Sequence, residues 1–297
     1  MEAKLYRQLY QRVYSIAHPP RRPREVYDDR WVATVYLWSV VHHKPASWAC
    51  DEGNWPAELD RPLPSQSRLS RRVRTVGVQQ LLERALASVS DLLQPEGPPL
   101  VKAIDSKPLV VGAYSKDADA KKGRVADGQF ARGYRVHAVT HGRLVRHWTL
   151  LPLNEHDSVA APALLPRLEG GGGYCIADNA YDSNACHALA AAAGHQLVAP
   201  PKACDADVRD ARRNRPERLR ALDLLHSPLK HCGLASEFGR ALYAYRQRIE
   251  SGFGGLTFAG LGPPPPWVRG PRRVALWVAA TLLLFLWQTA QKQGLIA

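Results

Sequence analysis

LVKAIDSKPLVVG, residues 100–112, is where the chain changes character. Upstream the pattern is helical. From here on, short apolar runs alternate with polar turns. Residues 100–105 read as a short strand ending in Asp105, and residues 109–112 as an extension of the sheet beyond a turn. Residues 134–140 and 144–153 flank His141-Gly142, the pattern of a β-hairpin. Residues 159–168 are predicted helical despite Pro162 and Pro166, and are closed by a glycine run at 170–173. A strand at 174–178, an Ala-rich helix at 183–193 ended by Gly194, and a strand at 196–199 follow. Residues 114–128 are polar and read as a mobile loop. This order predicts an α/β fold with a mixed sheet flanked by helices, of which the RNase H-like sheet is one member.

The first hundred residues predict an all-helical domain, residues 1–95, with an amphipathic stretch at 5–16 and a strongly apolar one at 29–43. Two further helices are expected at 66–76 and 78–93, before a PEGPP linker at 95–99 that marks a domain boundary. The second domain then runs from 100 to 297, with an Arg-rich insertion at 202–238. A helix is predicted over 239–258, weakened by Gly252, Gly254 and Gly255, and Pro263–Pro266 break the chain before a last helix. The run VALWVAATLLLFLW at 274–287 is 14 residues long. A spanning helix needs about 20, so a buried core helix is expected and no membrane partner.

Of the formal charge of +13, residues 1–100 carry +3 and residues 101–297 carry +10. An excess of this size points to a polyanion such as nucleic acid. The five cysteines are odd in number and contain no C-x-x-C, which argues against a disulfide framework and a zinc ribbon. Cys186-His187 and His231-Cys232 are read as ordinary helix or loop residues. Residues 1–15 carry scattered charges and no apolar core, so no secretory leader is expected and a cytoplasmic protein is.

Three acids stand out by position. Asp105 and Asp178 close strands, and Glu250 lies on a helix. Two carboxylates on neighbouring strands, about 4.8 Å apart, can share a cation. A third from a packed helix completes an all-oxygen site of the kind Mg²⁺ prefers. The helix carries more than its acid: Tyr243, Arg246 and Glu250 follow at i, i+3 and i+7 and share a face, beside an apolar stripe of Leu242, Ile249, Phe253 and Leu256. The planar fork of an arginine suits a phosphate.

Tyr-x-x-Arg-x-x-x-Glu at Tyr243, Arg246 and Glu250 resembles the Y-R-E signature of DDE-type bacterial insertion-sequence transposases. Four further segments agree in order: IDSKP at 104–108, GQFARGYRVHAVT at 128–140, LPLNEHDS at 151–158 and ADNAYDS at 177–183. The resemblance implies an RNase H-like catalytic domain whose Asp105, Asp178 and Glu250 bind two Mg²⁺ ions, with Mn²⁺ as a substitute. It also implies cleavage at transposon ends and strand transfer into target DNA by a homodimer in a synaptic complex, with Tyr243 and Arg246 gripping a phosphate. The remaining DNA contacts are expected from Lys107, from Arg68, Arg71 and Arg72 on a recognition helix capped by Ser65 or Ser67, and from Arg212 and Arg213 in the basic insertion. His156, with Asn154 and Asp157, is expected at the edge of the site, in preference to His137 and His147.

The sequence departs from the pattern at Thr257, where the signature usually continues with lysine. The insertion at 202–238 holds no tryptophan, the residue onto which some relatives flip a base, so no hairpin step is inferred. The alternatives are a decayed or domesticated DNA-binding protein on the same fold, and a metal-dependent nuclease without strand transfer.

Overall fold

The computed structural model describes residues 2–19, 25–93, 100–112, 114–125, 128–142, 144–201, 210–225, 237–246 and 261–296. The chain forms two compact units. One comprises residues 1–93 with 259–297, the other residues 94–258. The C-terminal segment, residues 259–297, groups with the N-terminal helices rather than with the sheet.

In the first unit, α1 (Glu2–Ser15) buries Tyr6, Leu9 and Val13, one stripe of an amphipathic helix. By contrast α2 (Asp29–Val41) is apolar almost all round and buries nine of its residues, as a central helix must. The Asp28 side chain caps it by accepting from the Trp31 amide at 2.6 Å. Helices α3 (Gln66–Arg72) and α4 (Val76–Leu92) follow. The C-terminal helix of the chain, Pro271–Lys292, packs against α2 and α4. It is longer than its apolar run predicts. By length and composition alone its 22 residues could cross a membrane, yet 67% of its most apolar window is buried inside the unit. An aromatic cluster fixes the contact of α1 with α2: Trp38 stacks on Trp55 at 4.8 Å, and the Tyr6 ring meets both edge-on. Each indole nitrogen of Trp31, Trp38 and Trp55 donates to a backbone carbonyl, so these rings are buried without an orphaned donor.

The second unit is built on a six-stranded mixed sheet. Its centre is β1 (Val101–Val110), antiparallel to β3 (Phe130–His141) on one side and parallel to β5 (Gly173–Ile176) on the other. On its far edge β3 pairs with β4 (Leu144–Pro152) and, at its start, with β2 (Lys121–Arg124), while β6 (His195–Val198) continues the parallel half beyond β5. Antiparallel β4-β3-β1 followed by parallel β1-β5-β6 is the RNase H-like arrangement. The short helix α5 (Ala161–Leu164), flanked by 3₁₀ turns, leads into β5, and α6 (Asn184–Ala192) joins β5 to β6. These crossovers cover one face, where Ile104, Val139, Cys175, Ala177, Leu197 and Ala199 meet Leu164, Leu165, Cys186 and Ala190. Beyond them lie α7 (Pro216–Leu225) and a helix at 237–246, here α8, whose Phe238 ring lies 5.7 Å from that of Tyr174 on the opposite face of the sheet.

Three local expectations change. First, β1 does not break after Asp105 but runs through Pro108. Its pairing with β5 stops at Ala103, and a proline fits a strand that is paired on one side only. Second, residues 114–128 are not a bare mobile loop. They contain β2, and the buried Asp117 accepts a hydrogen bond of 2.9 Å from Tyr134 Oη. Arg132 ties the backbone there by donating to the carbonyls of Asp117 and Ala120. Third, the glycine run before β5 has a steric reason at Gly173: its φ is +119°, and a Cβ there would strike the Leu100 carbonyl.

The described part of the Arg-rich insertion does not hold all its arginines for DNA. Arg218 is buried and donates to both oxygens of Asp182, at 2.8 and 2.6 Å, and to the Asn214 side chain at 2.5 Å. Burial alone would raise the Asp182 pKa, but His187 and Arg218 together pull it down to about 2. A carboxylate depressed from its ordinary value of 3.8 contributes stability that is complete above about pH 4 and is lost as the pH falls toward 2. Removing one partner of such a buried pair costs about 3–5 kcal/mol. Asp182→Ala is therefore expected to lower the unfolding free energy by that amount at pH 7 in urea denaturation. The exposed-site variants Arg212→Ala and Arg213→Ala are expected to stay within about 0.5 kcal/mol of the parent. An equal effect of all three would remove Arg218–Asp182 from the core.

Candidate active site

The parallel register pairs Ala103 with Ile176. Two residues beyond that last pair stand Asp105, still in β1, and Asp178, just past the end of β5, and both lie close enough to Arg246 to act on its charge. Asp105 is held in mid-strand opposite Ala138, and its Oδ1 accepts from the Ser106 amide at 2.8 Å. Asp178 sits just past β5, where it caps the 3₁₀ turn Asn179–Tyr181 by accepting from the Ala180 amide at 3.0 Å. Both carboxylates thus accept a hydrogen bond from a nearby backbone amide.

From α8, the Tyr243 hydroxyl donates to the Ala177 carbonyl at 3.3 Å, one residue before Asp178. Arg246, one turn on, donates to that same hydroxyl at 3.1 Å. Burial works against the Arg246 charge, but its hydrogen bond to the Tyr243 hydroxyl and the attraction of Tyr243, Asp105 and Asp178 outweigh it and raise its pKa. The helical spacing seen in the sequence therefore does bring Tyr243 and Arg246 to the two aspartates. Glu250 lies outside the described residues, as do Thr257 and the glycines at 252, 254 and 255. Lys107, two residues after Asp105 on the same face of β1, is half-buried, and burial lowers its pKa.

Beneath the aspartates, on the other face of β3, lies a polar group that the sequence reading passed over. Arg135 donates to Asp157 Oδ1 at 2.9 Å, and that oxygen stands 3.6 Å from His137 Nδ1. His137 in turn shares a hydrogen bond of 3.2 Å with the buried Tyr181 hydroxyl. Desolvation is the largest influence on His137, against the pull of Asp157 and with the push of Arg135, and takes its pKa down to about 4, so at neutral pH it is an uncharged imidazole. Tyr181 is pushed well above its ordinary value by burial first, then by Asp157, Asp178 and Asp105. Asp178 is itself raised, chiefly by burial and by Asp157, against the opposing hydrogen bond from Ala180 and the charge of Arg246. The expected edge residue, His156, instead caps the turn after β4 by accepting from the Ser158 amide at 3.3 Å. Its neighbour Asp157 reaches inward. The signal that could have found this group is the alternation of β3, which puts Arg135 and His137 on one face in the GYRVH segment.

The expected DNA contacts divide in the same way. Arg68 and Arg71 are exposed on α3, with the Arg68 guanidinium 5.6 Å from the Tyr27 ring. Arg72 is occupied within its own unit, 2.7 Å from Asp29 and 3.6 Å from Glu25. Ser65 stands at the cap position of α3 without a side-chain cap bond, and pairs instead with the Ser67 hydroxyl at 3.4 Å. Arg212 and Arg213 are exposed, with Arg213 3.7 Å from Asp210.

The residues around Asp105, Asp178 and Arg246 define a carboxylate site at the end of the parallel half of an RNase H-like sheet. Residues 96–258, more than half of the chain and the whole of this sheet, match the transposase DDE domain family, and the protein belongs to that family. A solved structure of a piggyBac transposase synaptic complex with hairpin DNA is similar at a TM-score of 0.47 and 9% identity, over 97% of this chain and 72% of that one. No curated protein matches the chain at a significant level.

Tyr181→Phe keeps the ring and removes the hydroxyl bonded to His137. Leaving a buried polar partner unsatisfied costs about 1–3 kcal/mol, which chemical denaturation of the purified variant should register. An unchanged unfolding midpoint would mean that the hydroxyl holds nothing in place.

Proposed function

We propose that the protein is an active DNA transposase that cuts phosphodiester bonds at transposon ends and joins the freed 3′ ends to target DNA. The observation that supports this reading is that Asp105 and Asp178, each two residues past the last β1–β5 pair, both act on the charge of Arg246. Members of this family generally use a divalent metal. The donor set fits one. Asp178 is raised by burial and by Asp157, so its ionised form is short of positive charge, and every side-chain donor is a carboxylate oxygen, the type Mg²⁺ takes. Asp105, Asp178 and Glu250 would hold the ions. A bound pair supplies Lewis-acid activation of a water or 3′-hydroxyl and stabilisation of the leaving oxygen.

The chain's own residues do the rest. Tyr243 fixes Arg246 beside the aspartates, so that the guanidinium fork can take a phosphate oxygen pair without first being ordered. Lys107, partly desolvated and on the same face, is proposed to hold the adjoining phosphate. Arg68 and Arg71 on α3, and Arg212 and Arg213 ahead of α7, are exposed cations suited to duplex phosphates. A homodimer acting on two ends at once, in the bacterial cytoplasm, completes the proposal.

The test is a plasmid carrying the DNA that flanks the gene, incubated with the full chain in Mg²⁺ or EDTA. Metal-dependent nicking at the flanks followed by a joined product is expected. Asp105→Asn, Asp178→Asn and Glu250→Gln should each lower nicking about a hundredfold or more while leaving duplex binding intact. Nicking without a joined product would make the protein a nuclease. Duplex binding without nicking would make it a DNA-binding relative that has lost the reaction, the outcome toward which Thr257 leans.

A further inference from the structure

The first unit lies largely outside the segment that matches the transposase domain, and it contains a cavity of about 170 Å³ that no step above uses. It opens between the end of α2, α3 and the start of the C-terminal helix. Its lining includes Lys44, Arg74 and Arg273, together with Trp267 and Trp277, and contains no aspartate or glutamate. All three cations are exposed, and among the described residues none is paired with a carboxylate. Elsewhere in the unit Arg7, Arg61 and Arg72 do each meet an acid.

The two indoles differ. Trp277 is buried at 4% exposure and forms the floor, whereas Trp267 is 43% exposed, although a large apolar ring gains by burial. It is carried on the Pro263–Pro266 segment, whose prolines restrict the backbone, and the turn is closed by the Val268 amide donating to the Pro265 carbonyl at 2.8 Å. The ring is therefore presented on a stiff support rather than left on a loose loop. Arg74 is aimed from the end of α3, with its Nε donating to the Ser70 carbonyl at 2.8 Å, so that its terminal nitrogens remain for another partner. Arg273 stands in the first turn of a helix that has no acidic residue there, a place where positive charge is unfavourable until an anion arrives.

An exposed aromatic face among unpaired cations is the chemistry that recognises single-stranded nucleic acid. Successive phosphates take the cations, and an unstacked base takes the ring. The volume matches: drug-sized ligands occupy about 300–1,000 Å³, and this cavity admits a single planar group. We propose that this cavity holds single-stranded DNA, with one base on Trp267 and the flanking phosphates on Lys44, Arg74 and Arg273. The choice of DNA rests on the transposase reading. The role would be to hold an unpaired strand of the DNA being processed.

The full chain is tested by fluorescence anisotropy with a labelled twelve-nucleotide oligo-dT, the same length of duplex, and oligo-U, all in EDTA. Because no metal is present, failure of the cleavage chemistry does not disturb the result, and failure here leaves the nicking assay untouched. Base stacking on an aromatic ring is worth about 1–3 kcal/mol, so Trp267→Ala should weaken oligo-dT binding about 5- to 150-fold and leave duplex binding within about twofold. Trp267→Tyr, which keeps a stacking face, should recover most of the loss. Arg273→Ala should reduce the log–log salt slope for oligo-dT by about 0.7. The proposal is overturned if Trp267→Ala leaves oligo-dT affinity unchanged, if it weakens single strand and duplex alike, or if oligo-U binds more tightly than oligo-dT. Trp267 is surface-exposed, and a melting temperature within about 2 °C of the parent confirms that the variant is folded before binding is compared.

Discussion

The double pairing of β1 is the constraint on which the second unit depends. One edge of this strand is antiparallel to β3 and the other is parallel to β5, and the parallel ladder ends at Ala103. Past that point β1 remains a strand, held from one side only, while β5 gives way to a turn capped by Asp178. The sheet thereby opens between two strands at the level of two carboxylates. A parallel pair needs a long crossover, and the segments that supply it, α5 with its 3₁₀ turns and α6, also provide the apolar cover beneath. The carboxylate site and the core are two consequences of one pairing.

Charge is arranged in layers about that opening. Asp105 and Asp178 face α8, whose Arg246 answers them. Asp157 approaches from the other face of the sheet and is answered by Arg135, while His137 stays uncharged between Asp157 and Tyr181. A third carboxylate so close to Asp178 is a destabilising choice unless its own charge is matched, and Arg135 does that matching at 2.9 Å. The arrangement keeps the Asp178 turn stiff through Tyr181, which belongs to the same turn, and so separates holding the backbone from presenting the carboxylate.

The positive charge of the chain likewise serves more than one purpose. Arg218 and Arg72 are spent inside their own units, on Asp182 and Asp29. Arg61 stands over the rings of Tyr10, Tyr14 and Trp31. What remains exposed on α3, ahead of α7 and around the cavity of the first unit is a smaller set than the net charge implies.

Much of this was legible in the sequence. Alternation around His141-Gly142 located the β3–β4 hairpin and the 3.6-residue period put Tyr243 and Arg246 on one face, because residue type and spacing are properties of the chain itself, whereas the strand end read at Asp105 lies in the middle of β1. Other features were not. The strand β2 hides in a polar run, since KKGR earns its place by pairing with Phe130–Gly133 and not by burying side chains. Pro108 reads as a break until the unpaired edge of β1 makes it tolerable. Arg218 is indistinguishable from Arg212 and Arg213 in a basic run, and only the fold brings Asp182 within 2.6 Å of it. Local pattern determined which elements form and which side chains share a face. The partner of each buried charge, and the unit to which the last helix belongs, were decided by contacts between residues far apart in the chain, because desolvation and pairing depend on what the completed fold places nearby.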